Sequence, residues 1–287
     1  MYLEPHTSRP ECSVFILAPP CFHGPVRKRI NIALTIAGSD SGGGAGLQAD
    51  LKTFAALGVH GTSVVTCITA QNPRRVSGVE ACSPKMIRAQ IEAVFSELPP
   101  RAAKTGMLFS AAIIRDVARA FREWPGPLVV DPVMMATSGT ALLRRDAIRA
   151  LTEKLLPLAT LLTPNVPEAE ALLGVRIRTP EDLRHAARTL HERFGCAVLV
   201  KGGHLATTRE AIDLFFDGTT ELLLSGPRVR GVHTHGTGCT YSAAITAGLA
   251  QGESLTQAVQ RAKEFVTHAI ATSQKAGRHD VLNTLRV

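Results

Sequence analysis

From residue 31 onward the chain alternates short apolar runs with longer stretches whose apolar residues recur at helical spacing. Residues 31–37, 61–70, 102–107, 128–133, 160–163 and 197–201 read as buried strands, several rich in β-branched side chains. Between them, Leu47, Leu51, Phe54, Ala55 and Ala56 share one helical face, as do Ile87, Ile91, Val94, Phe95 and Leu98. Gly58 ends the first of these helices, and Ser83-Pro84 starts the second. Ser110 and Thr179-Pro180 begin two more, and the pattern predicts helices over 146–156, 167–173, 238–250 and 255–272. Asp217-Gly218 lies between the apolar runs 212–216 and 221–224 and predicts a hairpin.

Strands alternating with helices imply an α/β fold, with a mostly parallel sheet covered on both faces. In such folds ligands bind beyond the C-terminal ends of the strands. The polar loops 38–46, 71–72, 104–107, 131–139, 164–168, 201–204 and 235–239 all fall at those ends and predict a single site.

Composition narrows the field. The 287 residues are 45% hydrophobic and 20% charged, ordinary for a globular protein. The net charge of +8 is scattered, with no long basic tract interleaved with aromatics, which argues against nucleic acid as a partner. A basic balance also suits polyphosphate ligands. The six cysteines form no Cys-x-x-Cys pair, so a zinc site of that type is not expected. The pattern fits reduced thiols in a cytoplasmic protein. No run of about 18 apolar residues is present, so no membrane helix is expected. Residues 1–28 carry five prolines and two cysteines without a period. They read as a disordered or non-native extension, leaving 29–287 as the folded domain.

Candidate chemistry concentrates in a few loops. His235-Gly236-Thr237-Gly238-Cys239-Thr240 opens into a helix. Glycines there permit a sharp turn, and unpaired N–H groups at a helix start bind anions. Cys239 is either a small buried hydrophobe or an ionisable group whose thiolate the helix terminus favours. The loop 38–46 lacks the Gly-Lys-Ser/Thr of a P-loop. Gly44-Ala45-Gly46 with Ala49 fits a loose dinucleotide pattern, but no acidic residue ends the next strand, which reads Thr69-Ala70-Gln71. Gln71 either bonds backbone or reads a flat heterocycle with mixed donors and acceptors, such as an aminopyrimidine. Asn165 and Glu168 stand three residues apart before a helix. Glu168 either complements the helix dipole or holds Mg²⁺ through water. Lys201, before two glycines, is either solvated or neutralises polyphosphate.

Seven blocks together resemble the hydroxymethylpyrimidine/phosphomethylpyrimidine kinases of the ribokinase superfamily, over residues 29 to about 272. They are Ala37-Gly38-Ser39-Asp40 with the run 43–53; Ala70-Gln71-Asn72; Lys104-Thr105-Gly106-Met107-Leu108; Asp131-Pro132-Val133-Met134; the run 163–169; Lys201-Gly202-Gly203-His204; and the run 234–240. The resemblance implies a three-layer α/β/α sandwich. It implies transfer of the ATP γ-phosphoryl group to 4-amino-5-hydroxymethyl-2-methylpyrimidine, then to the resulting monophosphate, in thiamine biosynthesis. By the same resemblance Gln71 reads the pyrimidine, with Gly38, Asp50 and Met107 at or near its pocket. Gly236, Thr237 and Gly238 form the anion hole, and Cys239 is the catalytic base. Asn165 and Glu168 organise Mg²⁺, and Lys201 lies near the ATP phosphates. A homodimer in the cytoplasm is implied as well. Alternatives are a pyridoxal or pyridoxine kinase of the same superfamily, and a non-catalytic pyrimidine-binding regulator. The chain departs from the family pattern at Asp40-Ser41-Gly42, where Asp-Pro-Ser is usual, at His233, and in lacking a Gly-Pro ending near the C-terminus.

Overall fold

The structure, a computed structural model, describes residues 29–134, 143–203, 205, 208–229, 231–232 and 235–285; the expected extension 1–28 lies outside them. In chain order the elements are β1 (Ile32–Asp40), α1 (Gly46–Ala56), β2 (His60–Asn72), β3 (Arg75–Ala81), α2 (Pro84–Glu97), β4 (Ala102–Thr105) and α3 (Ala111–Phe121). They continue with β5 (Leu128–Val130), α4 (Arg145–Ala150), β6 (Leu161–Leu162), α5 (Val166–Leu173), α6 (Pro180–Phe194) and β7 (Ala197–Lys201). The last are β8 (Ala211–Phe216), β9 (Glu221–Gly226), α7 (Thr237–Gln251), α8 (Leu255–Ala271), β10 (Gln274–Ala276) and β11 (His279–Val281).

Among the described residues nine strands form one sheet, in the order β3-β2-β1-β4-β5-β6-β7-β8-β9. The six central strands, β2, β1, β4, β5, β6 and β7, are parallel, while β3, β8 and β9 join through antiparallel pairings at the edges. Alternate strand residues feed different cores, as the period of two requires. Leu34, Ile36, Leu128, Val130, Leu162, Val198 and Val200 pack under α2–α6. Val129, Leu161, Leu199 and Phe215 pack under α7 and α8, while Ala33 meets Phe54 of α1 and Ala243 of α7. Burial on both faces explains why these strands read as continuous apolar runs.

Three expectations change. The buried face of α1 carries Asp50 and Thr53, and Ala55 is exposed. The expected helix over 146–156 leaves α geometry at Leu151, passing through a π turn over Leu151–Leu155 and a 3-10 turn over Leu156–Leu158, where Pro157 removes a donor. The edge strand β3 was not expected, because most of its residues are exposed and no face pattern betrays it. No helix among the described residues is long and apolar enough to cross a membrane.

Candidate active site

The C-terminal ends of the parallel strands open into one cavity of about 750 Å³. Every residue singled out from the sequence lines it: Gly38, Asp50, Gln71, Met107, Asn165, Glu168, Lys201, Gly236, Thr237, Gly238 and Cys239.

One wall is the start of α7. Gly236 caps it at φ 84°, a left-handed conformation, and a Cβ there would overlap the Gly44 carbonyl oxygen. The glycine loop and the helix terminus therefore touch backbone to backbone. A Cβ on Gly238 would lie 3.2 Å from Lys201 Nζ, so the ammonium sits beside the helix's first turn. Lys201 Nζ donates to Asp131 Oδ1 at 3.0 Å, and Ser242 Oγ lies 3.3 Å from Asp131 Oδ2. Burial works against the Lys201 charge, but Asp131 and Glu168 hold its pKa above the usual lysine value. The helix dipole and this fixed cation together favour an anion.

Cys239 lies in the same turn. Burial pushes its thiol up to about 11, although Lys104 pulls the other way. Burial thus opposes the thiolate expected at this helix start, while Lys104 and the Gly46 N–H favour it.

Asp50 lines the cavity but is not open to it. Its carboxylate accepts from Lys104 Nζ and from Thr35 Oγ1, each at 2.6 Å, and neither Asp50 nor Lys104 has any exposed side-chain surface. Burial raises the Asp50 pKa against the pull of Lys104, while Asp50, Cys239 and Asp131 hold the Lys104 ammonium against its own burial. Lys104 went unread in the sequence. Its signal is a lysine inside a strand that is otherwise buried.

Asn165 and Glu168 form a capping box at the start of α5. Asn165 Oδ1 accepts from Glu168 N, and Glu168 Oε2 from Asn165 N, each at 2.9 Å. Glu168 Oε1 also accepts from Met134 N at 3.1 Å. Burial pushes Glu168 up to about 7, with Asp131 adding to the rise and Lys201 opposing it. Among the described residues no three His, Cys, Asp or Glu side chains cluster as a metal cage. These oxygen donors fit a magnesium ion that arrives on phosphates and keeps its waters, rather than one held directly by protein.

Beside the α7 start, Asp40 organises the glycine loop. Its Oδ1 accepts from Gly42 N at 2.8 Å, and Oδ2 from Gly44 N at 3.1 Å and Ala45 N at 2.8 Å. His235 Nε2 lies 3.5 Å from the same Oδ2. Burial would raise the Asp40 pKa, yet the bonds from His235, Ala45 and Gly42 hold it below the usual carboxylate value. Gln71 Nε2 lies 3.4 Å from His235 Nε2, and Gln71 Oε1 lies 3.3 Å from Thr69 Oγ1. Its backbone N–H donates to Ser41 Oγ, whose hydroxyl donates back to the Gln71 carbonyl, each at 2.8 Å. Asp40 and His235 stood in the quoted blocks without a role.

A further stretch of the cavity wall is not legible in the sequence. Tyr241, Arg228, Val229, Val266 and Ile270 line it, with Lys263 Nζ donating to Asp213 Oδ2 at 2.8 Å. Its residues come from distant elements and form no local motif.

The model of the phosphomethylpyrimidine kinase family matches residues 40–283. The hydroxymethylpyrimidine/phosphomethylpyrimidine kinase of Rhizobium meliloti is 52% identical over 245 residues, covering 85% of this chain and 92% of its own. The thiamine biosynthesis bifunctional protein ThiED of Geobacter sulfurreducens is 50% identical over 246 residues; the match covers 85% of this chain but only 50% of that longer protein. Among solved structures, the ADP complex of Bacillus subtilis pyridoxal kinase superposes with a TM-score of 0.83 at 38% identity, covering 89% of this chain and 98% of that one. A two-faced, mostly parallel sheet, one cavity at its strand ends and this similarity along most of the chain lead to one conclusion: the chain belongs to the phosphomethylpyrimidine kinase family.

Proposed function

We propose that this chain phosphorylates 4-amino-5-hydroxymethyl-2-methylpyrimidine with ATP and then phosphorylates the monophosphate to the diphosphate, in thiamine biosynthesis. The observation that carries this is the convergence, in one cavity, of a carboxamide able to read a flat heterocycle, a thiol, and a helix start flanked by a lysine. The identity to the Rhizobium meliloti kinase supports the substrate class. The ADP complex of the pyridoxal kinase supports ATP as phosphoryl donor.

In this reading the ring lies against Gln71, Gly38 and Met107, with its hydroxymethyl group toward Cys239. Cys239, in the minor thiolate form that its raised pKa leaves, takes the hydroxyl proton while the oxygen–phosphorus bond forms and the bond to ADP breaks. Lys104 is the cation that favours that thiolate. The N–H groups following Gly236, with Lys201, hold the charge of the transferring phosphoryl group, the main requirement of such chemistry. A magnesium ion entering with ATP would neutralise phosphate oxygens. Asn165 and Glu168 would hold it through water, because both already bond backbone groups. Asp50 acts through Lys104 rather than by touching the ring.

The working assembly in this reading is a homodimer in the cytoplasm. Exposed Ile68 and Val79 on the β2–β3 edge support the first, and four free cysteines among the described residues support the second. Sedimentation velocity tests the dimer.

The deciding experiment incubates the protein with Mg-ATP and the pyrimidine, with pyridoxal in parallel, and follows products by mass. Successive mono- and diphosphorylated pyrimidine is the expected result. The likeness to a pyridoxal kinase favours pyridoxal as the second reading. Phosphorylation of pyridoxal alone would select it, and turnover of neither would leave a non-catalytic binder.

A further inference from the structure

Gln71 can read a substrate ring only if its carboxamide is held one way round, and counting the protons around it decides which way. Thr69 Oγ1 has a single proton. It lies 2.9 Å from the Ser39 carbonyl oxygen and 3.3 Å from the Gln71 carboxamide. The shorter bond takes the proton, because a carbonyl can only accept. Thr69 then offers Gln71 only lone pairs, so the end of the carboxamide facing Thr69 must be the NH₂. The structure places Oε1 toward Thr69 and Nε2 toward His235 Nε2, at 3.4 Å; the proton count reverses the two ends, so the carbonyl faces His235. That contact requires a proton on His235 Nε2.

A second, independent observation agrees. The same Nε2 lies 3.5 Å from Asp40 Oδ2, a carboxylate oxygen that already gathers N–H donors. An unprotonated Nε2 there would set lone pair against lone pair. One N–H shared between Asp40 and Gln71, as a long three-centre bond, satisfies both oxygens. Carboxamide ends are interchangeable in shape, so only such bookkeeping distinguishes them.

We propose that His235, oriented by Asp40, is a specificity-determining positioning residue that fixes the Gln71 carboxamide with its carbonyl toward the imidazole and its NH₂ toward Thr69. This rests on the reading of Gln71 as the ring-recognising group. Each end of the carboxamide keeps one free valence: a lone pair on oxygen and one N–H on nitrogen. Together they match a ring that presents an amino donor beside a ring-nitrogen acceptor. Reversing the carboxamide exchanges the two positions and mismatches that edge. Ser41 locks the Gln71 backbone from the other side, so the carboxamide torsion is the freedom left for His235 to remove. His235 also packs against Gly44, where a Cβ would meet its Cδ2 at 3.1 Å, so the imidazole itself is confined.

Two measurements test this, and the first needs no substrate. Long-range ¹H–¹⁵N correlation in the free protein reads the tautomer of each histidine, and the His235 signal is the one lost in His235→Gln. A protonated Nε2 is expected; an unprotonated, pyridine-like Nε2 overturns the proposal. The second compares kcat and KM for the aminopyrimidine and for pyridoxal in His235→Leu and His235→Gln. His235→Leu is expected to raise the pyrimidine KM about tenfold, with the loss falling on KM more than on kcat and the preference over pyridoxal shrinking. His235→Gln, which keeps a donor at similar reach, restores most of that preference. An unchanged KM and preference in His235→Leu, with only kcat lowered, would make His235 a support for the helix terminus and sink the proposal. Failure of the parent protein to use the pyrimidine would instead strike the proposed function, while the tautomer result would still judge the carboxamide orientation.

Discussion

Lys104→Met removes one partner of an ion pair whose nitrogen and oxygen are 2.6 Å apart, with no exposed surface on either side chain. Asp50 would keep only its bond from Thr35 at 2.6 Å. Removing one partner of a buried pair costs about 3–5 kcal/mol, because the remaining charge stays desolvated. At about 2–4 °C per kcal/mol for a chain of this size, Tm should fall by about 6–20 °C. The variant also acquires a characteristic pH response. Burial already raises the Asp50 pKa, and Lys104 is the main force opposing that rise. Without Lys104 the folded carboxyl takes up a proton that the unfolded one, near a pKa of about 3.9, releases. A folded state that binds more protons than the unfolded state loses stability as pH rises. The variant should therefore lose about 1.4 kcal/mol per pH unit from about pH 4 up to the new folded pKa. Urea unfolding followed by the fluorescence of Trp124, which packs on Phe95 and Phe121, reads this at several pH values. Asp50→Asn in the Lys104→Met background should abolish the slope. A loss under about 1 kcal/mol, or no slope in the single variant, would mean that water reaches Asp50 through the cavity and that the pair is not truly desolvated.

Cys239→Ala should lower kcat by about 100-fold or more with little change in KM, as expected for loss of a positioned base. In the parent, alkylation of Cys239 followed by mass should accelerate with pH without levelling off, since its thiol is pushed up to about 11; a plateau near neutral pH would contradict that. Gly236→Ala places a Cβ on the Gly44 carbonyl at φ 84° and should cut kcat/KM by about 100-fold by displacing the anion hole, measurable at saturating ATP. Glu168, raised to about 7 by burial, costs stability as pH climbs from its unfolded value of 4.5 through 7. Glu168→Gln should flatten that part of the stability profile while costing about 1–3 kcal/mol, because its NH₂ must face one of two backbone donors. A profile as steep as the parent's would assign the titration to another group.

The sequence by itself determined the layers of this protein. Two-sided strands such as 128–130 and 197–201 are apolar throughout, and helix starts such as Ser83-Pro84 and Thr179-Pro180 carry their own caps, so periodicity and capping sufficed. It also placed the cavity, because a parallel sheet gathers its loops at one end, and those loops hold the conspicuous residues. The structure alone decided the state of those residues. Whether Cys239 is a thiol, whether Asp50 faces ligand or Lys104, and whether Asn165 and Glu168 are free to take a metal all depend on burial and on partners distant in the chain. Lys104 is 54 residues from Asp50, and His235 is 164 from Gln71. The exposed edge β3 and the cavity wall formed by α8 were illegible for the same reason. A side chain's partner across such distances is chosen by packing in three dimensions, and desolvation and hydrogen bonding, which set its charge and orientation, act only once that packing exists.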